Sequence, residues 1–189
     1  MAPLFSIVVP VYNRPEELEE LLASVKAQSF QDCEVIVVED GSTVTCQHVV
    51  EQFSAHLNIR YHLKPNEGPG PARNLAFTLA RGSYFIIVDS DCILPPQYLA
   101  VLHDHLAQHP LDAWGGPDRG HAQFTPLQQA MAFTMSAFLT TGGIRGGKQA
   151  ADTFQPRSFN MGVSRKVWEA TGGFTFQRYA EDIEWSIRI

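Results

Sequence analysis

Two carboxylates one residue apart, Asp89-Ser90-Asp91, directly follow the apolar run Tyr84-Phe85-Ile86-Ile87-Val88. Such a run reads as a buried strand, and acidic residues at its exit stand where an α/β protein can hold a hard cation through oxygen ligands. A strand alternates its side chains, so Asp89 and Asp91 point the same way if the strand persists through them. Asp-x-Asp also occurs in turns, where the carboxylates cap backbone amides, and the triplet alone does not choose between the two. Two more polar clusters end apolar runs: Tyr12-Asn13-Arg14 after Phe5 to Val11, and Glu39-Asp40 after Glu34 to Val38. Near the end of the sequence, Glu181-Asp182 opens a helical pattern. Carboxylates there can serve the helix dipole, take a proton from a hydroxyl, or do both.

The elements that must position these groups alternate between strands and helices. Pro15, Glu16 and Glu17 mark a helix start after the first strand, with Leu18, Leu21, Leu22 and Val25 at helical spacing. A second helical stretch runs through Val49, Val50 and Phe53, and Ile59 to Leu63 reads as a short third strand. The segment Asn66-Glu67-Gly68-Pro69-Gly70-Pro71 reads as a loop, followed by a helix from about Ala72 to Ala80. Strands alternating with helices predict a mainly parallel sheet covered on both faces. Ligands of such sheets bind beyond the carboxyl ends of the strands, where all three polar clusters fall. Each cluster also has a plainer role: Asn13 and Asp40 can stabilise turns, and Arg73 can be a solvated surface cation.

With 189 residues, 44% hydrophobic and 18% charged, the chain has the composition of an ordinary globular domain. A formal net charge of -6 argues against a nucleic-acid partner, which needs a positive field. Cys33, Cys46 and Cys92 form no CxxC pair, which disfavours a disulfide framework or zinc knuckle and fits reduced thiols in a cytoplasm. The beginning has no signal-peptide pattern, and no run reaches membrane-spanning length. Trp114-Gly115-Gly116-Pro117 and Gly142 to Gly147 read as loops. Leu127, Ala130, Met131, Phe133, Thr134, Phe138 and Leu139 form an apolar stretch whose default role is core packing, the alternative being an interfacial helix near a lipid-linked acceptor. Gly142 to Ala151 has little to bury and reads as a lid or as disorder.

Taken together, Ser6 to Arg14, Val37-Val38-Glu39-Asp40-Gly41-Ser42, Gly68 to Asn74, Asp89-Ser90-Asp91, Phe159 to Trp168 and Ala180 to Trp185 make the chain resemble a family 2 glycosyltransferase from about Phe5 to its last residue. The resemblance implies the α/β GT-A fold, a Rossmann-like three-layer sandwich with a mainly parallel central sheet. It implies one catalytic domain over 1–189, with a donor half to about 95 and an acceptor half from about 96. By the same resemblance, Pro10 supplies backbone contacts to the nucleotide, Tyr12 lines the base pocket and Asp40 accepts a hydrogen bond from the base, usually uracil N3–H. Glu39 stands where family members commonly carry Asp. Arg73 either holds a phosphate oxygen or supports a donor-site carboxylate such as Asp89.

In the Asp89-Ser90-Asp91 motif, the resemblance gives the first carboxylate to sugar or ribose hydroxyls and the last to Mn²⁺ or Mg²⁺. Asp91, with Asp89, is thus the candidate metal ligand, and Ser90 belongs to the donor site. Asp182 matches the general base of inverting members. The implied reaction moves a sugar from a nucleotide-diphosphate donor, UDP-linked first, to a hydroxyl of a glycan or lipid-linked acceptor. Cytoplasmic location and peripheral association with the inner membrane face go with that reading. The sequence stops soon after Asp182, and none of its seven histidines lies beyond that residue, so the expectation is a C-terminally truncated catalytic domain. Two other readings are a nucleotide-binding module without transferase activity and a sugar nucleotidyltransferase. The latter would call for a glycine-rich basic loop where Val11-Tyr12-Asn13-Arg14-Pro15 stands.

Overall fold

The computed structural model describes residues 2–116, 119–121, 124–136 and 156–189. The β-branched runs become β1 (Phe5–Val11), β2 (Cys33–Asp40), β3 (Ile59–Lys64) and β4 (Tyr84–Ile87), joined by β5 (Ala113–Gly115) and β6 (Met161–Ser164). They form one sheet in the order β3-β2-β1-β4-β6-β5. β1 pairs in parallel with β2 and β4, β2 pairs in parallel with β3, and β6 runs antiparallel to both β4 and β5.

The helices are α1 (Pro15–Lys26), α2 (Gln47–Phe53), α3 (Pro69–Leu79), α4 (Tyr98–Gln108), α5 (Pro126–Ser136), α6 (Arg165–Thr171) and α7 (Glu181–Arg188). Strand alternation sorts the core into two layers. Phe5, Ile7, Val9 and Val11 face Leu18, Leu21, Leu22 and Val25 of α1, with Val49 and Val50 of α2 and Leu99 and Leu106 of α4. Val8, Ile36, Val38, Phe85 and Ile87 face Ala72, Ala76 and Phe77 of α3, with Trp168 of α6 and Trp185 of α7. Each fully buried aliphatic or aromatic side chain here contributes about 1.5–3 kcal/mol.

Several expectations change. α3 begins at Pro69 rather than near Ala72, because proline suits the first helical turn, where its missing N–H costs nothing. Trp114 and Gly115 belong to β5 instead of a loop, their backbone pairing with Gly162 and Met161. The apolar stretch from Leu127 is not core: Leu127 is 72% exposed, Met131 57% and Phe133 73%. Both sheet faces are already covered by the other helices, which leaves α5 no layer to enter. Phe138, Leu139 and Gly142 to Ala151 lie outside the described residues. α6 stops at Gly172, which takes the left-handed conformation at φ 77°.

Candidate active site

The chain order β1, β2, β3 moves one way across the sheet, and β4 then returns to the other side of β1. That reversal opens a crevice between the loops leaving β1 and β4, the place where open α/β sheets take ligands. Register brings the exits together, Val11 lying beside Glu39 and Val8 beside Ile87.

Asn13 sets the β1 side of this rim. Its φ of 53° is left-handed, a conformation asparagine tolerates better than most side chains. Its side-chain oxygen accepts the N–H of Thr43 at 2.8 Å and of Val44 at 3.0 Å, while its own N–H donates to Ser42 Oγ at 2.8 Å. The loops after β1 and β2 are thereby clasped together. Tyr12, between Val11 and this clasp, is 50% exposed and available to a flat ring; Pro10 lies within β1.

Asp40 is 4% exposed and tightly held. Its Oδ1 accepts Lys64 Nζ at 2.8 Å and the Glu67 N–H at 2.9 Å, and its Oδ2 accepts the Gly68 N–H at 2.7 Å. A carboxylate oxygen has two lone pairs, so Oδ2 retains capacity for one more donor. Lys64, which the sequence reading passed over, ends β3 directly beside Asp40 in register. Burial alone would lower its pKa, but hydrogen bonds to Asp40 and Glu67 outweigh that and raise it. Glu39 is fully buried, accepting the Cys46 N–H that opens α2 and the Tyr61 hydroxyl. Burial and the Glu39 hydrogen bond push the Tyr61 hydroxyl up. Glu39 is thus used inside the fold.

β4 ends at Ile87, before the carboxylates, so Asp89 and Asp91 are not on a common strand face. A turn follows in which the Cys92 N–H donates to the Asp89 carbonyl. Ser90 is buried within it. Asp91 pairs with Arg14 across the crevice, and Asp89 accepts Arg73 NH2 at 2.7 Å. Arg73 therefore supports a carboxylate of the rim, one of the two roles open to it. No group of three or more His, Cys, Asp or Glu gathers for a metal among the described residues. Asp89 and Asp91 are 38% and 49% exposed at the side chain. Two accessible carboxylates fit Mg²⁺ or Mn²⁺ of the kind completed by substrate phosphates and water, not a cation caged by protein alone.

Asp182 reaches the same end of the sheet from the far side of the sequence. It is 5% exposed, with Arg157 Nε 2.8 Å from its Oδ2 and the Ser158 N–H at 3.3 Å. Nothing in the sequence pointed to Arg157, which belongs to no regular element. The turn before α7 is seated on α3. The Gly70 N–H donates to the Gln177 carbonyl at 3.0 Å, and Asn74 both donates to the Phe174 carbonyl and accepts its N–H. A Cβ on Gly70 would lie 2.2 Å from the Phe176 carbonyl oxygen, so only glycine allows this approach. Phe77, Phe174 and Trp185 pack ring to ring beneath.

With this geometry in view, the sequence profile described as glycosyl transferase family 2 matches residues 6–168. This chain belongs to that family. Glycosyltransferase GlyG of Streptococcus pneumoniae serotype 4 is 32% identical over 114 residues, covering 59% of the chain and 38% of that protein. Poly(ribitol-phosphate) β-N-acetylglucosaminyltransferase TarS of Staphylococcus aureus is 41% identical over 91 residues, 46% of the chain and 16% of that protein. The chain thus spans well under half the length of these curated relatives. The crystal structure of TarS 1-349 in complex with UDP-GlcNAc superposes with a TM-score of 0.73 at 24% identity, covering 100% of the chain and 53% of that one. The mannosyltransferase PcManGT of Pyrobaculum calidifontis, in complex with GDP-Man and Mn²⁺, gives 0.66 at 21% identity over 92% of the chain and 48% of that one. The fold is GT-A, as expected. No helix among the described residues is long and apolar enough to cross a membrane.

Proposed function

We propose that the chain is the catalytic domain of an inverting, metal-dependent glycosyltransferase that moves a sugar from a nucleotide-diphosphate donor, first of all a UDP-sugar, to a hydroxyl of a glycan or lipid-linked acceptor. The observation that carries this reading is that Arg73 of α3 joins Asp89 to Glu181, the residue before Asp182, although the two carboxylates lie far apart in sequence. A TarS structure with UDP-GlcNAc among the fold relatives supports the choice of UDP.

In this reading the remaining capacity of Asp40 Oδ2 accepts a base N–H, and Tyr12 stacks on the base while Pro10 lends it backbone contact. Asp89 and Ser90 meet sugar or ribose hydroxyls. Asp91, with Asp89, would hold Mn²⁺ or Mg²⁺, which supplies charge neutralisation for the departing diphosphate when bound. Arg14, which pairs with Asp91, would supply a cation to the donor phosphates. Asp182 takes the proton of the acceptor hydroxyl as that oxygen bonds to the anomeric carbon. The bond to the diphosphate breaks on the opposite side, and configuration inverts. Residues to about 95 form the donor half and those from about 96 the acceptor half. The work belongs to polysaccharide assembly in the cytoplasm, including at the inner membrane face. The exposed apolar residues of α5 suit a peripheral, lipid-side location.

Calorimetric titration with UDP, GDP and ADP, each with Mn²⁺ and then with excess chelator, tests the donor half. Metal-dependent UDP binding that disappears in Asp40→Ala and Asp91→Ala is the expected result. Equal binding of all three nucleotides, or none of any, would remove the basis for the reading.

A further inference from the structure

Glu181 has no place in the mechanism above, yet it is 7% exposed and its Oε1 accepts Arg73 NH1 at 2.8 Å. The same guanidinium donates through NH2 to Asp89 Oδ1 at 2.7 Å and lies 5.3 Å over the Phe174 ring. Arg73 is itself only 3% exposed. One buried cation therefore joins a donor-rim carboxylate to the residue immediately before Asp182, across 16 positions in one direction and 108 in the other.

The helix dipole does not account for Glu181. Asp182 and Glu184 already place carboxylates in the first turn of α7, and the dipole favours a carboxylate there without requiring that it be buried. Burying one is costly unless it is paired, and here the pairing is spent on the cation that also holds Asp89. Ala180, just before it, adopts a left-handed φ of 55° without being glycine. Such a conformation persists only where surrounding contacts over-determine it.

We propose that Glu181 is a positioning residue for both halves of the site: through Arg73 it fixes Asp182 relative to the donor rim and shares the guanidinium with Asp89. The sharing has a direction. Two carboxylates on one cation each hold it less firmly than one would, so Glu181 leaves Asp89 more available to donor and metal. Removing its charge gives Arg73 wholly to Asp89 and weakens metal-dependent nucleotide binding, although residue 181 touches neither ligand. This inference rests on the donor-site reading, and its test separates the two.

The test is Glu181→Gln, which keeps size and an acceptor oxygen, against wild type and Asp89→Asn. In calorimetry with UDP and Mn²⁺, E181Q is expected to bind three- to tenfold more weakly with an unchanged circular dichroism spectrum, and the E181Q/D89N double variant no more weakly than D89N alone. In urea unfolding, which needs no nucleotide, the midpoint shifts of the two single variants are expected to be non-additive. Wild-type binding with an unaltered UDP constant in E181Q, or strictly additive midpoint shifts, overturns the proposal. Absence of UDP binding in wild type with non-additive midpoints instead overturns the donor reading and leaves the Arg73 link standing.

Discussion

Asp40 and Asp182 are both nearly buried carboxylates at one end of one sheet, but they are held by different means. Two backbone N–H groups and Lys64 hold Asp40, on a strand paired on both sides. Asp182 stands on the two-turn helix α7, where the Arg157 ion pair is joined by one longer backbone contact, the Ser158 N–H at 3.3 Å, and residues 174–177 ahead of the helix are seated on α3. The Glu67 and Gly68 N–H groups, in the loop between β3 and α3, are fixed with the backbone and are in place before any ligand arrives. Side-chain fastenings between distant segments are more readily displaced. The rim beyond β1, β2 and β4 is therefore the template, and the segment before α7 is registered against it through α3.

The strongest way to break this comparison is Asp182→Asn in the full-length enzyme. Transfer should fall about 10³-fold, within the usual range for losing a general base, while UDP affinity stays within about twofold. A parallel loss of UDP binding would show that the two sides are not separable. Next, Gly70→Ala forces a Cβ against the Phe176 carbonyl, at 2.2 Å in the present arrangement. The expected cost is about 1–3 kcal/mol of unfolding free energy, with transfer reduced much more than nucleotide affinity. Lys64→Met removes one of three partners of Asp40 and leaves both backbone donors. Denaturant titration should show a loss of about 1–3 kcal/mol, and calorimetry roughly tenfold weaker UDP binding. A larger loss of affinity would mean that the backbone donors do not suffice to aim the carboxylate.

The smallest effect lies at the opposite end of the sheet, where Glu34 accepts the Ser6 hydroxyl, the Arg81 N–H and Arg60. Burial would raise its pKa, but these partners outweigh burial and hold it below the usual 4.5. Because the folded value is the lower one, the stabilisation is complete above about pH 4.5 and is lost as pH falls through the folded value. Glu34→Gln should flatten the acid limb of stability against pH and leave nucleotide binding unchanged. A shift in UDP affinity would connect two ends that the fold keeps apart.

The rim beyond β1, β2 and β4 was legible because its signals are local. Continuous β-branched runs, Pro15 at a helix start and polar clusters at strand exits are each contained in a few consecutive residues, and the parallel sheet follows from their alternation. The direction of Asp89 and Asp91 was not, because it depended on whether β4 continued past Ile87. Lys64 carried a signal only once β3 was paired with β2, which sets it beside Asp40. The link from Arg73 to Glu181 spans 108 positions, and no periodicity encodes it. The apolar residues of α5 looked like core since composition records hydrophobicity but not whether a free sheet face remains to receive it.

The strand order also bears on how the chain must fold. β4 has β1 on one side and β6 on the other, and β5 joins the sheet only through β6. During synthesis, Tyr84–Ile87 and Ala113–Gly115 are therefore made well before Met161–Ser164, the strand that both require. Until then the inner edge of β4 is an apolar row of unpaired amides, a ready template for strands of other molecules. A ribosome-bound chain stopped short of residue 164 would be prone to aggregate, and residues up to about 95 cannot be cut free as a self-sufficient unit without first capping that edge.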